Sequence, residues 1–533
     1  MSFQAKAAQY QLYQLTIMEM EMSSYTLFFL SFVTLLVILV SLVSRKSTRI
    51  SFSNNPRRPP GPWGLPFLGS LHHLITSQPQ LALWNLAKKH GPVMHLRLGQ
   101  VDTVVISSPA AAQEVLRDKD ISFASRPSLL ATYIMCYGNI DVAFAPYGAY
   151  WRALRKLCML ELLSSRKVRQ FAPVRDSETM SLVKEIRATS RGGQPVNLGR
   201  LLVLCTSAIT GKATFGERCD SDLRDRFMSA MEVVQANGSG FCVGDLFPSL
   251  GFVDVASGMR RRLQRAHQQV DTVVDKIIAD AEVRREEKKT TTAGDDLLSV
   301  MLRVRDEGDI GFPIGNTNIK AIIVDLFTAG TETTSSTAEW VMTELIKNPK
   351  MMMKAQAEVR WMLDNKSPQN HENHMEGLHY TRMVIKETMR LHPALPLLLP
   401  RVCRETCDVG GFEVTEGTRV FINVWAVARS PENWHEAEEF MPERFQDSEV
   451  DYDKGTHYEY LPFGGGRRKC PGDVFATAAL ELIVARLLYY FDWSLPNGMQ
   501  PDELDMDVTV GATARRTNHL HLVASPYKIP MEN

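Results

Sequence analysis

The chain has 533 residues with 60 basic and 60 acidic side chains, so its formal charge is zero and gives no global electrostatic argument for nucleic-acid binding. Its hydrophobic fraction of 44% is ordinary for a globular protein, and the length allows a large core. Eight cysteines form no CxxC pair and no disulfide-like spacing, which is typical of a reducing compartment.

The N-terminal part is predicted to contain a membrane anchor. Residues 22–44 carry no charge and are rich in Leu, Phe, Val and Ile, and as a helix they would span about 34 Å. Acidic residues precede this segment and basic residues follow it, so the positive-inside rule keeps the remainder of the chain in the cytosol. No small-residue cleavage site follows, which disfavours a signal peptide. The alternative start positions to Met1 are Met18, Met20 and Met22, so the tail 1–21 has no predicted role.

A basic, proline-rich hinge is predicted over residues 45–69. Five prolines between positions 56 and 66 favour a stiff, extended segment without helix or strand pairing. Such a hinge would hold a globular domain in a fixed orientation relative to the membrane.

Residues 70–533 are predicted to form one mainly helical domain with small peripheral sheets. Strands are predicted at Val93–Leu98 and Thr103–Ser107, followed by a helix that begins at Pro109. Weak alternation predicts further short strands at Arg419–Val424 and His519–Val523.

Trp151 and Arg155 stand four positions apart in a helical pattern. Side chains at i and i+4 share one helix face, so both can point at one ligand, and arginine matches the geometry of a carboxylate. This spacing alone is common by chance, so it carries weight only together with other motifs.

The sequence Ala-Gly-Thr-Glu-Thr-Thr at 329–334 lies inside a helix predicted over Thr317–Lys347. Glycine and threonine destabilise the interior of a helix, so their presence here indicates that the helix opens locally beside a cofactor. Glu332 and Thr333 would then hold water and relay protons. The small residues that would lie against the cofactor are Ala329 and Gly330.

Glu387 and Arg390 share a helix face at i, i+3 spacing, and the simplest interpretation is a surface ion pair of little energetic weight. The sequence Pro-Glu-Arg-Phe at 442–445 supplies a second arginine, Arg444, from a later loop.

Cys470 lies in the sequence Phe-Gly-Gly-Gly-Arg-Arg-Lys-Cys-Pro-Gly at 463–472, directly before a helix predicted over Asp473–Tyr490. The three preceding cations and the following helix N-terminus both favour the thiolate over the thiol. The glycines leave room for a flat group against the backbone. Such a thiolate suits an axial ligand, above all for haem iron. The alternative is a buried core cysteine after a tight turn.

This loop resembles the haem-binding loop of cytochromes P-450, with the fixed positions occupied by Phe463, Gly466, Arg468, Cys470 and Gly472. The anchor, the hinge and the other motifs stand in the order of that family. The chain is similar to plant microsomal A-type members, and residues 124–131 and 134–144 resemble those of grass diterpene oxidases.

The resemblance implies the cytochrome P-450 fold and a haem b cofactor (iron protoporphyrin IX), with Cys470 as the axial ligand of the iron. It assigns proton delivery on the oxygen-binding side to Glu332 and Thr333. It also implies a structural triad behind the cysteine loop, formed by Glu387, Arg390 and Arg444. The residues expected to hold the haem propionates are Trp151, Arg155, Arg401 and Arg468.

The chain has no flavin or nicotinamide fingerprint, so its electrons would come from the membrane-bound NADPH–cytochrome P-450 reductase. A basic docking face for that partner is predicted from Arg152, Lys156, Arg467 and Lys469. By resemblance, the substrate pocket is expected to use Leu129–Tyr137, Val324–Ala329, Ala394–Leu399 and Val510–Thr513.

The predicted function is NADPH- and O2-dependent monooxygenation of a lipophilic plant metabolite at the cytosolic side of the endoplasmic reticulum membrane. The closer resemblance implies a pimaradiene-type diterpene hydrocarbon, with one or several rounds of methyl oxidation in phytoalexin biosynthesis. Flavonoid, sesquiterpene and alkaloid substrates remain alternatives. So do a haem-thiolate isomerase or dehydratase, a non-catalytic haem-binding module and a membrane-tethered interaction protein.

Overall fold

The computed structural model describes residues 58–216, 242–287, 296–308, 312–452, 455–511 and 513–527, together with residues 31, 227 and 229. Apart from Ser31, the predicted anchor at 22–44 lies outside these residues, as do the tail and the first part of the hinge. Within the described ranges, no helix combines the length and the apolar character needed to cross a bilayer.

The described part of the chain is mainly helical, as the sequence predicts. In chain order the α-helices are α1 Pro79–His90, α2 Pro109–Gln113, α3 Leu130–Met135, α4 Ala149–Leu157, α5 Ser165–Gln170, α6 Ala172–Thr189, α7 Leu198–Phe215, α8 Val243–Leu246, α9 Phe252–Ala256, α10 Met259–Glu287, α11 Leu297–Glu307, α12 Asn316–Lys347, α13 Pro349–Leu363, α14 His379–Leu391, α15 Val424–Val427 and α16 Asp473–Tyr490. Short π-helical turns, Glu114–Asp118 and Cys158–Leu162, continue α2 and α4.

The strands form small sheets at the periphery. They are β1 Val93–Leu98, β2 Val101–Ile106, β3 Val196–Asn197, β4 Arg401–Val402, β5 Cys407–Val409, β6 Phe412–Val414, β7 Arg419–Ile422, β8 Phe491–Ser494, β9 Val508–Val510, β10 Ala514–Arg516 and β11 His521–Pro526. One sheet has the order β1-β2-β7-β4 and another the order β3-β11-β8, while β5-β6 and β9-β10 are hairpins. In the first sheet β2 pairs with β7 in parallel, and Ile106 lies opposite Ile422.

The central element is α12, which packs against α7, α14 and α16. Ile322, Ile323 and Leu345 of this helix are fully buried in the largest hydrophobic cluster. At its start, the N–H of Gly315 donates to the side chain of Asn318 at 2.9 Å. The helix ends at Lys347 because Pro349 starts the next helix and has no N–H to donate.

Candidate active site

A cavity of about 290 Å³ lies between α12 and the loop that precedes α16. Most of its lining side chains are apolar, as expected for a site that holds a hydrophobic ligand. The predicted site residues that line this cavity are Trp151, Arg155, Ala329, Gly330, Thr333, Arg401, Phe463, Arg468, Cys470 and Gly472. Two other predicted residues, Glu332 and Gly466, do not line it.

A tight loop presents Cys470 to the cavity. Its backbone N–H donates to the carbonyl of Phe463 at 2.9 Å, and the N–H of Lys469 donates to the carbonyl of Gly466 at 3.0 Å. Gly466 has a φ of 67°, and a Cβ at this position would overlap the carbonyl oxygen of Leu116. Only glycine fits there, so Gly466 shapes the loop from outside the cavity.

The basic residues before Cys470 have other partners. The guanidinium group of Arg467 donates to Asp120 at 2.8 Å, and the ammonium group of Lys469 pairs with Asp473 at 2.8 Å. Arg468 donates to backbone carbonyls, including that of Ala124. Of the three cations that precede Cys470, Lys469 still lowers the pKa of the thiol, as expected, even though it also pairs with Asp473.

Burial raises the pKa of Cys470 above its ordinary value, because desolvation of the thiolate outweighs the Gly472 backbone and the positive charges of Arg155 and Lys469. A bound metal cation would favour the thiolate form of Cys470, as is usual for a metal ligand.

Four guanidinium groups converge on the cavity, from Arg126, Arg155, Arg401 and Arg468. Burial lowers the pKa of Arg401 to about 10 and that of Arg468 to about 9. Arg401 pairs with Asp120 at 3.4 Å, whereas Arg126 and Arg468 donate to backbone carbonyls. This excess of buried positive charge fits a ligand with carboxylate groups. Arg126 was missed as a site residue, since a single arginine before a proline carries no signal by itself.

Trp151 lies in the wall of the cavity and contacts this cluster. The guanidinium group of Arg468 stands 4.1 Å from the centroid of its ring. Its indole N–H donates to the carbonyl of Val142 at 2.9 Å, so here it supports the loop after α3 instead of pointing at a ligand. Arg155 likewise donates to the carbonyl of Lys469 at 2.6 Å and ties α4 to the cysteine loop.

The Ala-Gly-Thr-Glu-Thr-Thr stretch lies in an uninterrupted α12, so the expected local opening of this helix is absent. The hydroxyl of Thr333 donates to the carbonyl of Ala329 at 2.5 Å, which keeps it in the helical groove. Glu332 points elsewhere, and its carboxylate lies 3.8 Å from the guanidinium group of Arg515 on β10.

The four predicted pocket segments contribute unequally. Leu326 and Ala329 from the second segment line the cavity, as does most of Ala394–Leu399. Among the described residues of Leu129–Tyr137 and Val510–Thr513, none lines it. Instead α7 contributes Thr210 and Thr214, which no motif in the sequence indicates.

Glu387, Arg390 and Arg444 meet in one hydrogen-bonded cluster, as the resemblance implies. The carboxylate of Glu387 accepts from the Nε of Arg390 at 2.7 Å and from the Nε of Arg444 at 2.8 Å. Glu387 and Arg390 are fully buried, so the interpretation as a surface ion pair is wrong. Arg390 also donates to the carbonyls of Ala428 and Ala437 at 2.8 and 2.7 Å.

A sequence model of the family described as Cytochrome P450 matches residues 59–521. The chain belongs to the cytochrome P450 family. It is similar to a 9-beta-pimara-7,15-diene oxidase of Oryza sativa subsp. japonica, with 62% identity over 476 residues, covering 89% of this chain and 93% of the relative. It is 47% identical over 480 residues to a premnaspirodiene oxygenase of Hyoscyamus muticus, covering 90% and 94%. A solved zebra fish cytochrome P450 with progesterone matches with a TM-score of 0.70 and 26% identity, covering 84% and 99%.

These matches confirm the predicted family and its helical fold. As a member of the cytochrome P450 family, the chain is an oxidoreductase of the monooxygenase type with haem b as cofactor, and it requires O2, a lipophilic substrate and a redox partner. The cavity fits this cofactor: it offers the thiol of Cys470, guanidinium groups that match two propionates, and apolar walls.

Proposed function

We propose that this cytochrome P450 oxidises a diterpene hydrocarbon of the pimaradiene type, with electrons from an NADPH-dependent reductase. The observation that carries the substrate class is the 62% identity to the rice 9-beta-pimara-7,15-diene oxidase over 89% of the chain. The mostly apolar cavity supports it, since a hydrocarbon without polar groups is held by shape.

In this proposal Cys470 binds the iron, and Arg155, Arg401 and Arg468 hold the propionates, with Arg126 as a fourth cation beside them. When bound, thiolate-ligated haem supplies the activation of O2 for oxygen insertion into a C–H bond. The residues of α12 then have two tasks. Leu326 and Ala329 pack on the substrate, and the Thr333 hydroxyl passes a proton once it leaves the carbonyl of Ala329.

Glu332 can join this proton transfer only by turning away from Arg515, so its role stays a prediction. Its carboxylate is already close to a cation, at 3.8 Å, and lies outside the cavity.

The proposed location is the endoplasmic reticulum membrane, with the catalytic domain in the cytosol. Support comes from the predicted anchor and from large apolar side chains that are exposed near the hinge and on α9. Phe67, from the hinge, stacks on Phe247 with ring centroids 4.7 Å apart, so the hinge and the segment between α8 and α9 share one side of the molecule. The exposed residues on that side are Trp63, Phe67, Leu68, Phe252 and Val255.

The full chain, co-expressed with a plant NADPH–cytochrome P450 reductase, tests the function. We expect haem absorbance in the membrane fraction and NADPH-dependent conversion of pimaradiene-type diterpenes to products heavier by one or more oxygen atoms. A sesquiterpene hydrocarbon and a flavonoid serve as comparison substrates. Oxidation of these in place of the diterpene would refute the substrate class. A rearranged or dehydrated product formed without NADPH would instead favour the isomerase or dehydratase.

A second prediction concerns the docking of the reductase. Lys469 pairs with Asp473 and Arg467 with Asp120, so the exposed cations of the predicted docking face that have no carboxylate partner among the described residues are Arg152 and Lys156. We expect the double substitution Arg152→Glu and Lys156→Glu to lower reductase-supported turnover about tenfold at low salt, with normal haem content.

The matched control is Lys276→Glu, an exposed lysine on α10, which packs against α3 and α12. We expect turnover supplied by a peroxide to stay unchanged in both variants, because it needs no reductase. Equal turnover of the double variant and the control with reductase would contradict the docking proposal.

A further inference from the structure

Two carboxyl groups meet next to the cavity, at the contact between α12 and the loop that follows α3. Asp325 on α12 lines the cavity, and its carboxylate accepts from the N–H groups of Val142 and Ala143 at 2.8 and 3.2 Å. Asp141 is fully buried, and its Oδ2 accepts from the N–H of Phe144 at 3.1 Å. Its Oδ1 makes no hydrogen bond of ordinary geometry within the described part of the chain. The Cys136 sulfur and one oxygen of each carboxyl group lie within 4.8 Å of one another.

Two carboxylates at this separation cannot both be charged in the interior, because each would be desolvated and would repel the other. We propose that Asp141 and Asp325 share one proton, and that this proton clamps the loop onto α12. The unpartnered Oδ1 of Asp141 is the atom that such a proton would satisfy. Burial also raises the pKa of both groups, and in Asp325 the charge of Asp141 adds to this effect.

The charges around the pair do not remove the need for this proton. Arg126 and Arg468 lie on the Asp141 side, and their positive charges favour one ionised carboxylate. The other titratable neighbours are neutral at physiological pH: burial raises the pKa of Cys136, of Cys158 and of Tyr150. In these surroundings the pair with one negative charge and one proton is therefore more stable than the pair with two negative charges.

The clamp positions one wall of the active site. Val142 and Ala143 line the cavity. Their carbonyls accept from the indole N–H of Trp151 and from the Nε of Arg126. Moving this short stretch would displace both the cavity wall and the acceptors of the arginine cluster. Asp141 and Asp325 are therefore positioning residues.

The effect of pH follows from the shared proton. A group whose pKa is raised by folding stabilises the native state below its ordinary pKa, and this contribution is lost as the pH rises through the raised value. As the pH rises and the proton leaves, two adjacent anions repel, and the loop is released from α12. This inference rests on the haem-binding cavity and is independent of the diterpene assignment.

Hydrogen exchange of the haem-loaded full chain tests the clamp without any substrate. We expect the amides of Val142 and Ala143 to lose about tenfold in protection, corrected for intrinsic exchange, as the pH rises through the pKa of the pair. In Asp141→Asn the amide group donates to Asp325 permanently, so protection stays at the wild-type low-pH level at every pH. In Asp141→Ala protection is lost at every pH.

Glu358→Gln is the matched control, since Glu358 also accepts from two backbone N–H groups, of Tyr380 and Thr381, at 2.7 and 2.8 Å. It should leave the exchange of the loop and its pH dependence unchanged. Infrared spectra of the wild-type protein at neutral pH add a second test, and they should contain a protonated carboxyl band. This part of the test does not depend on a variant that folds. In Asp325→Asn the band should disappear. Absence of this band in the wild type, or a pH dependence of exchange that persists in Asp141→Asn, would overturn the proposal.

Discussion

Replacement of Cys470 by alanine is expected to give a folded protein that has lost the absorption band of the thiolate-ligated, reduced carbon monoxide complex. The reason is that Cys470 is the thiol that the cysteine loop presents to the cavity opposite α12. Haem held only by the arginine cluster and the apolar walls would be released on purification. We expect no measurable monooxygenase turnover. Haem content and the carbon monoxide difference spectrum measure the effect, and circular dichroism reports whether the helices persist.

Cys158→Ala is the matched control, because this second thiol borders the same cavity and is buried. Burial raises the pKa of Cys158 to about 12, so it remains a protonated core side chain. Its loss should cost about 1 kcal/mol of stability and leave the absorption band intact. A haem-thiolate band that survives Cys470→Ala, or one that disappears in Cys158→Ala, would contradict the assignment of the ligand.

The elements that follow from local patterns were predicted closely. The helix expected over Thr317–Lys347 is Asn316–Lys347, and the helix after the cysteine loop has the predicted bounds Asp473–Tyr490. The first hairpin was also predicted, although its second strand is Val101–Ile106. These elements are governed by periodicity, capping and proline positions, all of which are local properties of a sequence.

Contacts between distant segments were not predicted from local patterns. The parallel pairing of Ile106 with Ile422 joins two strands whose own patterns do not specify a partner. The contact of Asp120 with Arg467 is a second example, because no local pattern around Asp120 indicates this partner. The pair neutralises a charge that was expected to act on Cys470. The cations lower the pKa of Cys470 as expected, but burial of the thiol outweighs them, and burial depends on the packed fold.

The site itself was predicted to the extent that motifs identify residues. The cysteine loop, the α12 stretch and the arginines of α4 and β4 meet at one cavity. Arg126 and Thr210 carry no motif. Asp325 lies in the predicted pocket segment Val324–Ala329, but its pairing with Asp141 arises only when the two elements pack together. The orientation of Glu332 towards Arg515 could not be predicted either. Neighbouring residues of a helix point to different faces, and the sequence does not show which face of α12 borders the cavity.

Replacement of Arg390 by alanine is expected to destabilise the whole haem domain. The change leaves the fully buried carboxylate of Glu387 with Arg444 as its remaining side-chain partner and removes the donor for the carbonyls of Ala428 and Ala437. Breaking a buried pair in this way costs about 3–5 kcal/mol. We therefore expect most of the purified protein to lack haem and the midpoint of thermal unfolding to fall. Arg390→Lys should also be defective, since lysine cannot make the paired hydrogen bonds of a guanidinium group.

The control for this prediction is Arg382→Ala on the same helix, α14. Arg382 donates to Glu481 at 2.8 Å, but 42% of its side chain is exposed, so the pair contributes less than about 1 kcal/mol. Stability and haem content should remain close to those of the wild type. Equal stability of the two variants would contradict the structural role of the triad.

The haem-loaded fraction of Arg390→Ala separates a structural role from a catalytic one. Glu387, Arg390 and Arg444 do not line the cavity, so they cannot touch a substrate or the reacting atoms. Turnover per bound haem should consequently match the wild type, even though little haem is bound. A lower turnover per haem, with an altered product pattern, would instead mean that the triad acts on the cavity through the cysteine loop.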